Sequence, residues 1–260
     1  MRRSRWRSSG LVALATAALM GVAAPTVDAT VPVSRAAVRN TTTTTEPARG
    51  TVRTPAYAAV GALFSGGRHF CTASVVASPA GDLVLTAAHC VQPGEPQGLF
   101  FAPGFHDGVA PYGMWAVADV LVPEGWTAGA DPDLDFAFLT VYQTGNSRSV
   151  QSLTGAETLG ANRGFTNDVT LAGYPDGANS PVICRDTTTR AGAYQQRIAC
   201  PGFSDGTSGG PWLTAVEPDT GNGTVIGVIG GYEEGGDSPD VSYSPYFDQD
   251  VQTLYDAATR

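Results

Sequence analysis

The chain has 260 residues, with 24 Asp+Glu against 15 basic residues, all of them Arg, and a formal net charge of −9. That length supports one large or two small hydrophobic cores. The acidic balance excludes a basic face able to neutralise a phosphate backbone, so nucleic acid is not an expected partner, and the surplus charge serves solubility.

In chain order, Arg2, Arg3, Arg5 and Arg7 precede an apolar stretch from Leu11 to Ala24. That stretch is shorter than the roughly 20 residues a helix needs to span a bilayer. Val27-Asp28-Ala29 then offers a small-x-small cleavage site, so residues 1–29 read as a secretory signal peptide. The product is expected to be extracellular, with no membrane attachment once the signal is removed. Residues 30–56 contain the run Thr41 to Thr45 and few large apolar side chains. Such a stretch buries too little surface to offset the entropy of ordering it, and reads as a flexible leader or pro-segment.

From Tyr57 onward, short apolar runs alternate with Gly, Pro, Asn and Asp, the pattern of an all-β protein. Strands are expected at 58–64, 71–76, 83–86, 114–122, 136–142, 169–174, 211–216 and 225–231. Only the end reads as a helix: Val251, Leu254, Tyr255 and Ala258 recur at helical spacing, with Asp248 or Asp250 as N-cap. Export makes Cys71, Cys90, Cys184 and Cys200 a disulfide question, with three possible pairings. No Cys-x-x-Cys pattern speaks for a metal, and no metal or organic cofactor is expected.

Gly206-Thr207-Ser208-Gly209-Gly210-Pro211 carries the chemistry. A serine hydroxyl is a weak nucleophile until a base takes its proton, and His89 is the best-placed base. Glycines allow a sharp turn and close approach of a substrate carbonyl, so the N–H groups of Gly206 and Ser208 are candidates for an oxyanion hole. Of the other histidines, His69 reads as structural or substrate-facing and His106 as a turn residue and the one rival base. Asp131, Asp133 and Asp135 share one loop; an aspartate entering the apolar strand at 136 needs a hydrogen-bonded partner, which an imidazole N–H supplies. Gly206-x-Ser208-x-Gly210 also fits the elbow of an α/β-hydrolase, but that fold runs Ser, acid, His, whereas all three histidines here precede Ser208.

At three places the chain resembles the chymotrypsin/trypsin family of serine peptidases, in particular its secreted bacterial branch. These are His69-Phe70-Cys71 leading to Thr86-Ala87-Ala88-His89-Cys90, then Asp133-Leu134-Asp135-Phe136-Ala137, then residues 205–211. The resemblance implies two six-stranded antiparallel β-barrels with a C-terminal α-helix. The peptidase domain would be 57–260, with the N-terminal barrel over about 57–145, the C-terminal barrel and helix over about 146–260, and the active site between them. It implies a secreted serine endopeptidase, acting as a monomer on a protein or peptide substrate through an acyl-enzyme. Ser208 would be the nucleophile and His89 the base. Asp135 would be the orienting acid, since Phe136-Ala137 follows it, with Asp133 as runner-up. The family joins cysteines matching Cys71 and Cys90, which leaves Cys184 with Cys200.

The chain also departs from its relatives. Thr207 stands where animal-type members carry an aspartate that pairs with a newly cut N-terminal amine, so activation is expected to need no such amine. The position matching the acidic pocket floor of trypsin falls on Gly202. Gly230, Gly231 and Tyr232 are expected to form the substrate-binding edge, where a peptide adds as a strand. Glu233, Glu234 and Asp237 either favour basic side chains or form a solvated loop. The alternative reading is a catalytically silent binding protein of the same fold.

Overall fold

In the computed structural model, which describes residues 56–260, β1 (Val60–Ser65) and β2 (Arg68–Val75) form a hairpin through Gly66 and Gly67. Both glycines have positive φ (58° and 83°), as a two-residue hairpin turn that follows the twist of its strands requires. Next come β3 (Leu83–Thr86), β4 (Leu99–Pro103), β5 (Trp115–Leu121) and β6 (Ala137–Tyr142). The six close into an antiparallel barrel in the order β1-β2-β3-β6-β5-β4. Leu63, Ala73, Val84, Phe101, Trp115 and Leu139 fill its interior. A short helix, α1 (Glu124–Gly129), lies between β5 and β6, while α2 (Val150–Thr154) and β7 (Thr158–Leu159) lead away from the barrel.

The second half contains β8 (Asp168–Gly173), β9 (Val182–Thr187), β10 (Thr189–Arg190), β11 (Gln195–Ile198), β12 (Pro211–Thr214), β13 (Thr224–Val228) and β14 (Ser242–Pro245). Their ladders run β7-β13-β12-β8-β9 and β10-β11-β14. Only Thr188 separates β9 from β10, and its hydroxyl donates to the carbonyl of Phe165, so one bent strand serves both ladders. At the other seam, Val228 N–H donates to Ser244 Oγ at 3.0 Å and Gly230 N–H to the carbonyl of Tyr243 at 3.1 Å. The two ladders, of five and three strands, pack around a second core of Val169, Leu171, Ile198, Phe203, Trp212 and Ile226.

A third apolar cluster joins the halves, drawing Leu85, Phe136 and Phe138 from one side and Tyr174, Leu213 and Val225 from the other. The C-terminal helix α3 (Gln249–Ala258) buries Val251 and Leu254 there, and Tyr255 donates through its hydroxyl to the carbonyl of Ala77 at 2.7 Å. Asp248 is its N-cap, accepting from Asp250 N–H. Disulfides join Cys71 to Cys90 and Cys184 to Cys200. Strands β4, β7, β9, β10, β11 and β14 lie outside the runs expected from the sequence. The segments read as signal peptide and leader fall, up to residue 55, outside the described residues.

Candidate active site

Asp135 follows a single 3-10 turn, Pro132–Leu134, which Asp131 caps by accepting from Asp133 N–H at 3.0 Å. It then enters β6, and its side chain is wholly buried. A carboxylate taken out of water needs donors, and Asp135 has three. Its Oδ1 accepts from the backbone N–H of His89 at 2.9 Å, and its Oδ2 pairs with His89 Nδ1 at 2.7 Å and accepts from Gly231 N–H at 2.8 Å. His89 lies on the short turn Ala88–Cys90, and the bridge from Cys90 to Cys71 anchors that turn to β2. With Nδ1 engaged by the carboxylate, Nε2 is the ring nitrogen left for chemistry.

Ser208 reaches the same neighbourhood through Thr72 on β2. Thr72 N–H donates to the carbonyl of Ser208 at 2.7 Å, and its hydroxyl donates to that of Gly206 at 3.0 Å while accepting from Tyr174 N–H at 2.8 Å. The carbonyl of Thr72 in turn accepts from the hydroxyl of Thr86 at 2.8 Å, three residues before His89. One network therefore ties the serine loop to the chain that delivers the histidine. Gly209, at φ 80°, packs so closely that a Cβ would collide with Thr72 and Thr86. Gly206, at φ 90°, lies against the backbone of Tyr174 and Asp176. Among the described residues, no protein acceptor meets the N–H of Gly206 or of Ser208. Thr207 is buried, and its hydroxyl donates to the carbonyl of Ser204 at 2.7 Å.

A cavity of about 410 Å³ opens beside Ser208, between Phe203, Asp205 and Ile229 on one side and residues 233–239 on the other. Phe203 N–H donates to the carbonyl of Pro239 at 2.9 Å and joins the two walls. Asp205, Glu233, Glu234 and Asp237 line this space, and no cation does so among the described residues. Glu233 and Glu234 both take left-handed backbone conformations, φ 51° and 52°. A larger cavity of about 560 Å³, against Tyr57, Arg185 and Gly221, includes neither Ser208 nor His89.

The other singled-out residues fall as follows. Asp133 turns away from His89, its Oδ1 accepting from Gln195 Nε2 at 2.7 Å. His69 is buried among the rings of Phe64, Phe105 and Tyr174, with Nε2 at 2.9 Å from the carbonyl of Ala178. His106 closes a turn, its Nδ1 against the carbonyl of Gly104 at 2.8 Å. Gly202 is exposed and outside the lining of the cavity beside Ser208. Gly230, Gly231 and Tyr232 run past Asp135, and each of their N–H groups has an internal acceptor: Tyr243, Asp135 and Gln195 respectively. The exposed phenol of Tyr232 is pushed up in pKa by its hydrogen bond to Glu233 and by that carboxylate's charge. Gln195 is the residue of this site that no sequence signal marked.

A family model described as a trypsin-like peptidase domain matches residues 71–228. Among solved structures, the thermostable serine protease AL20 from an extremophilic microorganism aligns with a TM-score of 0.67 at 26% identity, over 78% of this chain and 97% of that one. The protease Anisep from Arthrobacter nicotinovorans gives 0.66 at 26%, over 79% and 97%. A Glu endopeptidase in complex with MPD, 18% identical, shares the fold with a TM-score of 0.62, over 81% of this chain and 94% of that one. The curated protein sequences give no match.

Proposed function

This chain belongs to the trypsin-like peptidase domain family, and from that premise we propose that it is a secreted serine endopeptidase whose working triad is Ser208, His89 and Asp135. That it is a serine peptidase, with protein as substrate, follows from the family and from the serine proteases it resembles. The observation that carries the triad is the wholly buried carboxylate of Asp135, which takes both the backbone N–H and the ring Nδ1 of His89.

In this reading Asp135 fixes His89 with its proton on Nδ1 and stabilises the imidazolium that forms. Nε2 takes the proton of Ser208 as the hydroxyl oxygen attacks a peptide carbonyl. The carbonyl oxygen becomes an oxyanion and receives the N–H groups of Gly206 and Ser208. Collapse breaks the C–N bond, and His89 returns the proton to the leaving amine. Water, deprotonated by the same imidazole, then releases the acyl group from Ser208. The side chain preceding the scissile bond enters the acidic cavity beside Ser208. No step calls for a metal or organic cofactor.

Residues 1–29 act as the export signal, 30–56 as leader or pro-segment, and 57–260 as a monomeric peptidase domain with its barrels meeting near residue 145. Two disulfides support export, and among the described residues no helix is long and apolar enough to cross a membrane. The test is digestion of a mixed peptide library, read by mass spectrometry, beside Ser208→Ala. Cleavage by the wild type that vanishes in the variant is the expected result. A folded wild type that cuts nothing would favour the silent binding protein.

A further inference from the structure

Resting on the triad reading, we propose that Gln195 is a positioning residue that holds the Asp135 loop and the 230–232 segment as one unit, so that it governs the reactivity of Ser208 and the seating of peptide together. Gln195 is 8% exposed and lies on β11, an element that supplies no member of the triad. Its amide is used at both ends. Nε2 donates to Asp133 Oδ1 at 2.7 Å and to the carbonyl of Pro132 at 3.0 Å, both on the turn that delivers Asp135. Oε1 accepts from Tyr232 N–H at 3.1 Å, on the segment whose Gly231 N–H holds Asp135 Oδ2 at 2.8 Å. A closed circuit therefore runs Gln195, turn 132–134, Asp135, Gly231, Tyr232 and back to Gln195.

The packing around the circuit is tight. A Cβ on Gly231 would lie 2.5 Å from Gln195 Oε1, and one on Gly230 would lie 2.8 Å from Asp135 Oδ2. Two glycines in sequence thus let the segment pass between an acid and an amide that both bind it. A side chain with one donor end and one acceptor end suits this place; a carboxylate would set like charge against Asp133, and an apolar chain would leave Tyr232 N–H and Asp133 without partners. Gln195 also takes an N–H that a bound peptide's carbonyl would otherwise receive. The segment's three N–H groups are all engaged internally, so its backbone can meet a substrate only through its carbonyls.

The experiment compares wild type, Gln195→Met, Gln195→Glu and the double variant Gln195→Glu/Asp133→Asn. It measures the labelling rate with a small fluorophosphonate, kcat and KM on a peptide selected from the library, and the melting temperature. The single variants are expected to label about tenfold more slowly and to show a raised KM, because circuit and segment loosen together. The double variant, in which the introduced asparagine amide donates to the introduced carboxylate, should recover much of the labelling rate, an outcome mere destabilisation does not produce. A folded single variant in which either labelling or KM is unchanged overturns the joint role, and so does a double variant no better than Gln195→Glu. A wild type that does not label contradicts the triad reading, whereas a wild type and variants that label alike contradict the role of Gln195 alone.

Discussion

Asp135 grips His89 at two points, the ring Nδ1 at 2.7 Å and the backbone N–H at 2.9 Å, from a position sealed off from solvent. One carboxylate so fixes both the tilt of the imidazole and the turn that carries it. Gly231 N–H supplies the third donor.

Replacing Asp135 by Asn puts an N–H₂ group among donors only. At least one contact becomes donor against donor, and His89 is driven toward the tautomer that cannot accept from Ser208. Asp135→Asn is expected to lower kcat about 10⁴-fold at neutral pH, with KM little changed. Steady-state kinetics on a peptide substrate checks this. A fall of less than tenfold would place the orienting acid elsewhere.

Glu157 links the halves through its backbone: its N–H donates to the carbonyl of Val75, and its own carbonyl accepts from Ala77 N–H. Its side chain is buried; Oε2 accepts from Gly223 N–H while Oε1 has no partner. Burial pushes the carboxyl up from 4.5 to about 8. The folded protein therefore holds a proton that the unfolded chain releases across that window, and stability falls as pH rises through it, by about 1.4 kcal/mol per unit. Glu157→Gln, neutral throughout, is expected to melt close to wild type below pH 4.5 and increasingly above it as pH approaches about 8. Parallel melting curves across the range would contradict the assignment.

Activation is expected to need no new N-terminal ammonium. Thr207 is neutral, and its hydroxyl is engaged by Ser204. Tyr57 N–H donates to the carbonyl of Thr220, so the start of the described chain docks away from the serine loop. Chains beginning at residue 30 and at residue 57 should show the same kcat/KM. Activity confined to the trimmed form would contradict this.

The cavity beside Ser208 meets an incoming side chain with four carboxylates, on Asp205, Glu233, Glu234 and Asp237. Peptides with an acidic residue before the cut are expected to be cleaved at least about tenfold more slowly than basic counterparts, a ratio that narrows as salt screens the exposed charges. Glu234→Gln/Asp237→Asn should narrow it too. Equal cleavage at low ionic strength would show that these carboxylates face only water.

Much of the first barrel was legible in the sequence because Val60–Ser65, Leu83–Thr86 and Ala137–Tyr142 are apolar runs of strand length. In the second half β8, β12 and β13 were legible too, but β9, β10, β11 and β14 were hidden. In Val182–Thr187 only Val182 and Cys184 are even partly covered, and the ladder β10-β11-β14 buries Gln196 and Ser244, polar residues that leave no hydrophobic period. Their burial is sustained by hydrogen bonds: Gln196 Nε2 donates to the carbonyl of Ile226 at 2.9 Å, and Ser244 Oγ accepts from Val228 N–H. Strand β4 was masked by the Pro- and Gly-rich stretch before it and by Pro103 at its end. His89, Asp135 and Ser208 stood out because each lies in a short motif. Gln195 lies in none, and its place follows only from how β11 passes beneath residues 230–232. Of the acidic lining, Glu233, Glu234 and Asp237 stood out as a run, but that they share a cavity with Ser208 and Asp205 depends on the course of residues 233–239, which the sequence pattern leaves open.

The most direct test of the account is mass-spectrometric mapping of a fluorophosphonate adduct on wild type, His89→Ala and Ser208→Ala, with folding checked by melting. The account predicts one adduct, on Ser208, in the wild type; labelling slowed by at least about 10³-fold in His89→Ala; and none in Ser208→Ala. An adduct on another residue, or equal labelling of wild type and His89→Ala, would contradict it.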